Sequence, residues 1–206
     1  MNAVREPVLH PVPIMDLRPT QITVGMREVE EKRKAFREKG SKSGTFLGNH
    51  MIPVVLGPKK QAYILDRHHL ALSLHLEGVE HVLTSVAADL SYLDKETFWF
   101  VLAHKNWMHI YDATGTLRTH DDIPKSVSGM QDDPFRSLAG ELRHAGGYAK
   151  DIAFYSEFLW ADYLRRNIKT KLLADDFDKA LKKALELARD HQASYLPGWC
   201  GPNPNY

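Results

Sequence analysis

The sequence predicts an α+β protein, with a small mixed β-sheet in the N-terminal half and a helical C-terminal half. Three observations carry that expectation. Short apolar runs bounded by turn residues, at 52–56, 62–65 and 82–90, crowd into the first half. Apolar residues at helical spacing dominate the second half, most clearly over 175–191. Between the second and third runs stands Asp66-Arg67-His68-His69, where an apolar run ends and a helical pattern begins at Leu70.

Taken in order, residues 8–17 alternate around prolines and enter as a short edge strand, because proline removes a ladder donor. Arg18-Pro19-Thr20-Gln21 breaks the pattern. Residues 25–39 set Met26, Val29 and Phe36 among many charges, as in a helix with one apolar face. Residues 45–50 read as a glycine-containing loop. The runs at 52–56 and 62–65 form a hairpin through Gly57-Pro58-Lys59-Lys60. Residues 70–76 are helical, with Gly78 as the stop. Residues 82–90 form a strand through the alternation of Val82, Thr84, Val86 and Ala88.

Residues 94–105 are apolar and aromatic and read as a helix. Residues 107–111 are a short strand or its continuation, and 116–128 a loop. Helices are predicted at 133–144 and 156–167, separated by Gly146-Gly147-Tyr148. The last, at 175–191, aligns Phe177, Ala180, Leu181, Ala184, Leu185 and Ala188 in one stripe, the mark of a core face or a dimer contact. The predicted organisation is an αβ domain over 1–92 with a helical region over 93–206 packed on it.

Composition narrows the function. The chain has 206 residues, 43% of them hydrophobic, enough for a real core, and a formal net charge of +1. That balance gives no general attraction to nucleic acid or membrane surfaces. Cys200 is the only cysteine, so an internal disulfide and a cysteine-rich zinc site are excluded. The first residues lack an apolar signal core, and the longest apolar runs are far too short to span a bilayer. A soluble, cytoplasmic protein is expected.

A strand that turns directly into a helix leaves the N–H groups of the first helical turn unpaired and pointing ahead, which favours an anion. At this junction Arg67 adds a cation, and His68 and His69 add two titratable imidazoles. A plainer reading stands beside this one: Asp66 caps the helix, and both histidines are ordinary helix residues.

Val12-Pro13-Ile14 with Leu17-Arg18-Pro19, then Pro53-Val54-Val55-Leu56, then Asp66-Arg67-His68-His69, resemble in order the motifs of the ParB/sulfiredoxin fold family. The last turn is Gly-Cys-His-Arg in sulfiredoxin, Gly-Glu-Arg-Arg in ParB partition proteins and Asp-Gly-His-His-Arg in the family's free-serine kinases. The whole chain most resembles the ParB-like nuclease branch. Members of that branch carry segments similar to Asp133-Pro134-Phe135-Arg136-Ser137-Leu138-Ala139 and Glu157-Phe158-Leu159-Trp160-Ala161-Asp162.

The resemblance implies a mixed sheet of ParB/sulfiredoxin type and a nucleotide-phosphate site at the 66–69 turn. ATP or another nucleotide is the cofactor expected there, with Mg²⁺ accompanying it and held mostly by the phosphates with one carboxylate such as Asp66. Asp66, His68 and His69 match the serine-kinase pattern, while Arg67 replaces a glycine and Leu70 the final arginine. The sulfiredoxin cysteine falls at Arg67, so thiolate repair chemistry is not expected.

The expected catalytic residues are Asp66, His68 and His69, with Asp66 also the Mg²⁺ ligand or the base toward an acceptor hydroxyl. Arg67, Asn49, His50 and Arg18 are expected at the phosphates. Arg136 and Arg143, seven apart and so on one helix face, and Glu157 are expected at the acceptor, with ion pairing among themselves as the plainer alternative.

Phosphoryl transfer asks for positioning and charge stabilisation more than covalent chemistry. The first reading is therefore a small nucleotide-dependent phosphotransferase or phosphohydrolase acting on a small-molecule acceptor. The second is a ParB-like nuclease or DNA-binding module, which the neutral charge does not favour. The third is a non-catalytic nucleotide-sensing domain, with the 175–191 helix as a homodimer or partner surface.

Overall fold

The computed structural model describes residues 11–40, 46–48 and 50–202. Its four-stranded sheet contains β1 (Pro11–Pro13), β3 (Ile52–Leu56), β4 (Ala62–Ile64) and β5 (His81–Asp89), in the order β1-β5-β3-β4. The strand β2 (Thr23–Val24) lies outside it. The sheet is mixed: β3 runs parallel to β5, while β1 and β4 are antiparallel to their neighbours. Between the parallel strands the chain makes the β3–β4 hairpin and then the helix α2 (His68–Leu76).

Both sheet faces are covered, as the period of two in a strand allows. On one face Ile52, Val54, Ala62 and Ile64 pack with Leu70, Leu72 and Leu74 of α2 and Val29 of α1 (Met26–Arg37). On the other, Val55 and Tyr63 meet Phe98, Trp99 and Leu102 of α3 (Lys95–His104). A register shift between Val54 and Val55 accompanies the change of face. Asp94 caps α3 by accepting the Thr97 N–H at 2.8 Å.

The rest of the chain builds a separate core. It comprises α4 (Pro134–His144), α5 (Ser156–Asn167), α6 (Thr170–Asp175) and α7 (Phe177–Ala188), packed around Leu138, Leu142, Trp160 and Leu164. Thus α3 and the residues after it, up to Met130, pack on the sheet, and the helical core begins only at Phe135. A two-strand parallel pair, β2 with β6 (Gln131–Asp132), joins the two cores. It sets the start of α1 beside the start of α4: Asp132 accepts the Met26 N–H at 3.0 Å, and Ser137 Oγ accepts the Arg27 N–H at 3.2 Å. A Cβ on Gly25 would lie 2.9 Å from the Ser137 nitrogen, so this approach requires glycine.

Several expectations are corrected. The edge strand is only Pro11–Pro13 within the described residues, because Ile14–Asp16 turns as a 3-10 helix. Arg18 to Gln21 is no simple break. It runs alongside β4, with the Arg18 N–H donating to Ala62 O and Arg18 O accepting from the Ile64 N–H. Residues 46–48, expected as loop, are helical. The helix expected at 175–191 is the shorter α7, because Asp175 ends α6, Asp176 leaves helical geometry and caps α7 by accepting the Lys179 N–H at 2.9 Å, and His191 begins a separate 3-10 turn. Its alanine stripe is core: Ala180, Ala184 and Ala188 are buried against the other helices of that half. Among the described residues no helix is long and apolar enough to cross a membrane.

Candidate functional site

At the end of β4 the chain reverses through Arg67, which adopts the left-handed conformation at φ 67° before α2 begins. A non-glycine residue in that region is uncommon and marks a constrained position. No side chain caps α2. Asp66 Oδ1 instead accepts the N–H of Arg67 itself at 2.7 Å, and Arg67 Nη1 donates to Met51 O at 3.0 Å. The first intrahelical bond is from the Ala71 N–H to Arg67 O. The N–H groups of His68, His69 and Leu70 therefore have no backbone acceptor among the described residues.

This helix end opens on a cleft of about 900 Å³. Glu28 and Lys32 of α1 line one side, and Arg136 and Arg143 of α4 another. Residues 150–158 and Trp107 complete the wall. The cleft brings together Asp66, Arg67, His68, His69, His50, Arg136, Arg143 and Glu157. Arg18 is not among the lining residues; its backbone is used at the edge of β4. Asn49 lies outside the described residues.

The four junction residues divide by direction. Asp66 and Arg67 are exposed, whereas His68 and His69 are buried. His68 Nε2 accepts the Thr20 N–H at 3.1 Å, and His69 Nε2 accepts the Gly25 N–H at 3.0 Å. Each neutral ring thus carries its proton on Nδ1. Burial lowers both to about 3, aided at His69 by the nearby Arg136 guanidinium. Neither Nε2 is free to take a proton while it holds a backbone N–H. In this arrangement the histidines tie residues 20–25, and through them the start of α1, to the start of α2. His50 is exposed, stacks on Phe46 at 4.0 Å and has Nδ1 2.7 Å from Phe46 O.

The opposite wall is an ion-pair network. Glu157, in the first turn of α5, pairs with Arg136 through one carboxylate oxygen, while the other lies 2.9 Å from Arg143 Nε. Arg136 is 7% exposed and also lies 3.6 Å from Glu28. Although burial alone would raise the Glu28 carboxyl, His69 in the acid range where its ring is protonated, together with Arg136 and Lys32, outweighs it and holds the group at about 2. Asp133 begins α4 by accepting the Phe135 N–H at 3.0 Å, with Pro134 in the first turn, and pairs with Arg165 at 2.6 Å. Asp162 faces Arg165 and Arg166, on a different side of α5 from Glu157.

Sequence reasoning missed Glu28, Lys32 and, Glu157 apart, the 150–158 wall. Glu28 looks like any other acidic residue on a charged helix, and its meeting with Arg136 is entirely tertiary. The aromatic residues Trp107, Tyr155 and Phe158 were visible but carried no pattern that distinguishes a cleft wall from a core.

Comparison with known proteins agrees with this architecture. The chain is 55% identical to the protein in "Crystal structure of protein Atu1540 from Agrobacterium tumefaciens", over 96% of this chain and 100% of that one, with a TM-score of 0.89. No curated protein matches. Residues 10–166 match the family described as "Putative ParB-like nuclease", a span that takes in the sheet, the 66–69 junction, α4 and nearly all of α5. The chain therefore belongs to the ParB-like nuclease family, with a mixed sheet of ParB/sulfiredoxin type in its N-terminal half.

Proposed function

We propose that the cleft binds the phosphates of a nucleotide at the start of α2 and that the protein transfers or hydrolyses a phosphoryl group there. The observation that carries this reading is the uncapped start of α2, with a left-handed Arg67 and the Asp66–Leu70 segment lining the cleft. Three backbone N–H groups and the helix dipole favour an anion at that point. Arg67 and His50 supply a charge and a ring nitrogen from the same side.

In this reading Asp66 takes a proton from the acceptor hydroxyl or water. Its carboxylate is exposed, and no described residue uses Oδ2. A single free carboxylate beside a phosphate site fits Mg²⁺, which keeps most of its shell for water and phosphate oxygens and supplies charge neutralisation when bound. His68 and His69 act here as positioning groups, since their Nε2 atoms fix the backbone that carries Thr20 and Gly25. Trp107, Phe154 and Phe158 offer flat apolar surface for a base. The family description supports hydrolysis of a phosphodiester as the second reading, with water as acceptor at the same atoms.

The test is a thermal-shift screen with ATP, ADP, CTP, GTP and a short DNA, each with and without Mg²⁺. A nucleotide at ~100 times its dissociation constant adds about 2.7 kcal/mol to the folded state. Stabilisation by one nucleotide, lost in Arg67→Ala, supports the proposal. Stabilisation by DNA alone moves the nuclease reading to first place. A flat response to all of them rejects the nucleotide site.

A further inference from the structure

The second wall of the cleft has a feature that the nucleotide reading leaves unused. Arg136 and Arg143 lie on one face of α4, and each engages a different oxygen of the Glu157 carboxylate. That is the way a pair of guanidiniums binds a ligand oxyanion, with one internal carboxylate standing where a ligand group would sit. Donors are left over. The Nε–H of Arg136, a side chain only 7% exposed, is buried and has no acceptor among the described residues, and the Arg143 Nε–H, although 2.9 Å from Glu157, is not aligned to donate to it.

Buried guanidinium N–H groups without acceptors are costly, and they point to a partner with more acceptor oxygens than Glu157 presents. Glu157 itself is only half-buried. It is 24% exposed and follows residues 149–154, all exposed, and Tyr155, which is left-handed at φ 58°.

We infer that Arg136 and Arg143 form a second oxyanion subsite, distinct from the start of α2, and that Glu157 occupies it until a ligand displaces it. The ligand group is a carboxylate or a phosphate monoester on the acceptor, the chemistry common to both being two or more oxygens sharing negative charge. The inference rests on the cleft being a ligand site, but it does not require that ligand to be a nucleotide. The internal carboxylate acts as a tethered competitor. Affinity for an external anion is reduced by the fraction of molecules in which the pair is free.

The experiment titrates inorganic phosphate and, separately, acetate into the full chain and into Glu157→Gln, following the Arg Nε–H resonances by NMR. If the pair is free in roughly a tenth of molecules, Glu157→Gln binds one of the two probes about tenfold more tightly. Adding Arg143→Ala to Glu157→Gln removes the gain, while adding Arg67→Ala leaves it. A gain for acetate alone identifies a carboxylate subsite, and a gain for phosphate alone a phosphate subsite.

Unchanged or weaker binding of both probes in Glu157→Gln overturns the inference, as does a gain that survives Arg143→Ala. Should Glu157→Gln not fold, the same titrations compare the unaltered protein with Arg143→Ala. Equal affinities then overturn the inference, and a loss in the variant supports it. The gain can also appear in a protein that ignores every nucleotide, so failure of this subsite and failure of the nucleotide site are separable.

Discussion

The two walls of the cleft handle charge in opposite ways. At the start of α2 the donors are backbone N–H groups, the nearby side chains Asp66 and Arg67 are exposed, and the buried histidines are neutral. On the α4–α5 wall the donors are guanidiniums, that of Arg136 buried and that of Arg143 half-buried, with their charge paired by Glu157 and, for Arg136, by Glu28 as well. The first wall offers an anion partial charges fixed by the fold, so its outward side chains contribute little to stability. The second buries full charges, which is tolerable only while each has its partner. Ligand affinity and fold stability should therefore be separable on the first wall and entangled on the second.

Among single substitutions, the largest effect that would sharpen this contrast is expected from Arg136→Ala. It leaves Glu157 without its buried partner and Glu28 with Lys32 as its remaining cation, and should cost about 3–5 kcal/mol in urea unfolding. A loss as small as that of a surface substitution would contradict the picture of a buried network.

Acid should act next, and on both walls. His68 and His69 have folded values of about 3 against an ordinary value of 6.5, so the unfolded chain takes up protons first as pH falls. Their stabilisation is full above pH 6.5 and is lost on the way down toward pH 3. The slope approaches about 1.4 kcal/mol per pH unit for each histidine. Glu28, lowered from 4.5 to about 2, adds a second loss as pH falls from 4.5 toward 2. Stability measured by denaturation from pH 8 to pH 3 should therefore begin to fall near pH 6.5. A curve flat down to pH 4.5 would mean that the histidines are not buried neutral.

His68→Ala should be milder. It strands the buried Thr20 N–H and should cost about 1–3 kcal/mol, with hydrogen exchange accelerated at Thr20 and its neighbours. Unchanged exchange there would break the claim that the imidazole pins this segment. The smallest effect is expected from Arg67→Ala, an exposed change that should stay within about 0.5 kcal/mol in stability. It should nevertheless weaken nucleotide binding about tenfold, the size of one charged hydrogen bond, read from the same thermal-shift titration.

The same contrast explains what the sequence revealed. The β3–β4 hairpin and α2 are local: alternating apolar residues, a Gly-Pro turn and a helical apolar pattern sit within a few residues of one another. The side chains that could serve the anion site were visible for the same reason. Which way they point was not. His68 and His69 turn inward because their acceptor atoms meet N–H groups 48 and 44 residues away, and no local pattern encodes that meeting. Asp176 illustrates the same difficulty in miniature, since an aspartate beside another aspartate reads equally well as helix interior or as the cap it is. Arg136, Arg143 and Glu157 were legible as a charged group, but their burial and their link to Glu28 depend on how two cores meet through β2 and β6.

The central claim is that the start of α2 holds a phosphate. The most direct measurement is an amide NMR titration of the full chain with ATP, with and without Mg²⁺. The account predicts that the backbone N–H signals of His68, His69 and Leu70 shift first and furthest, and that Arg67→Ala weakens the response. Saturable binding that leaves those three signals in place, or moves only residues outside the cleft, would contradict it.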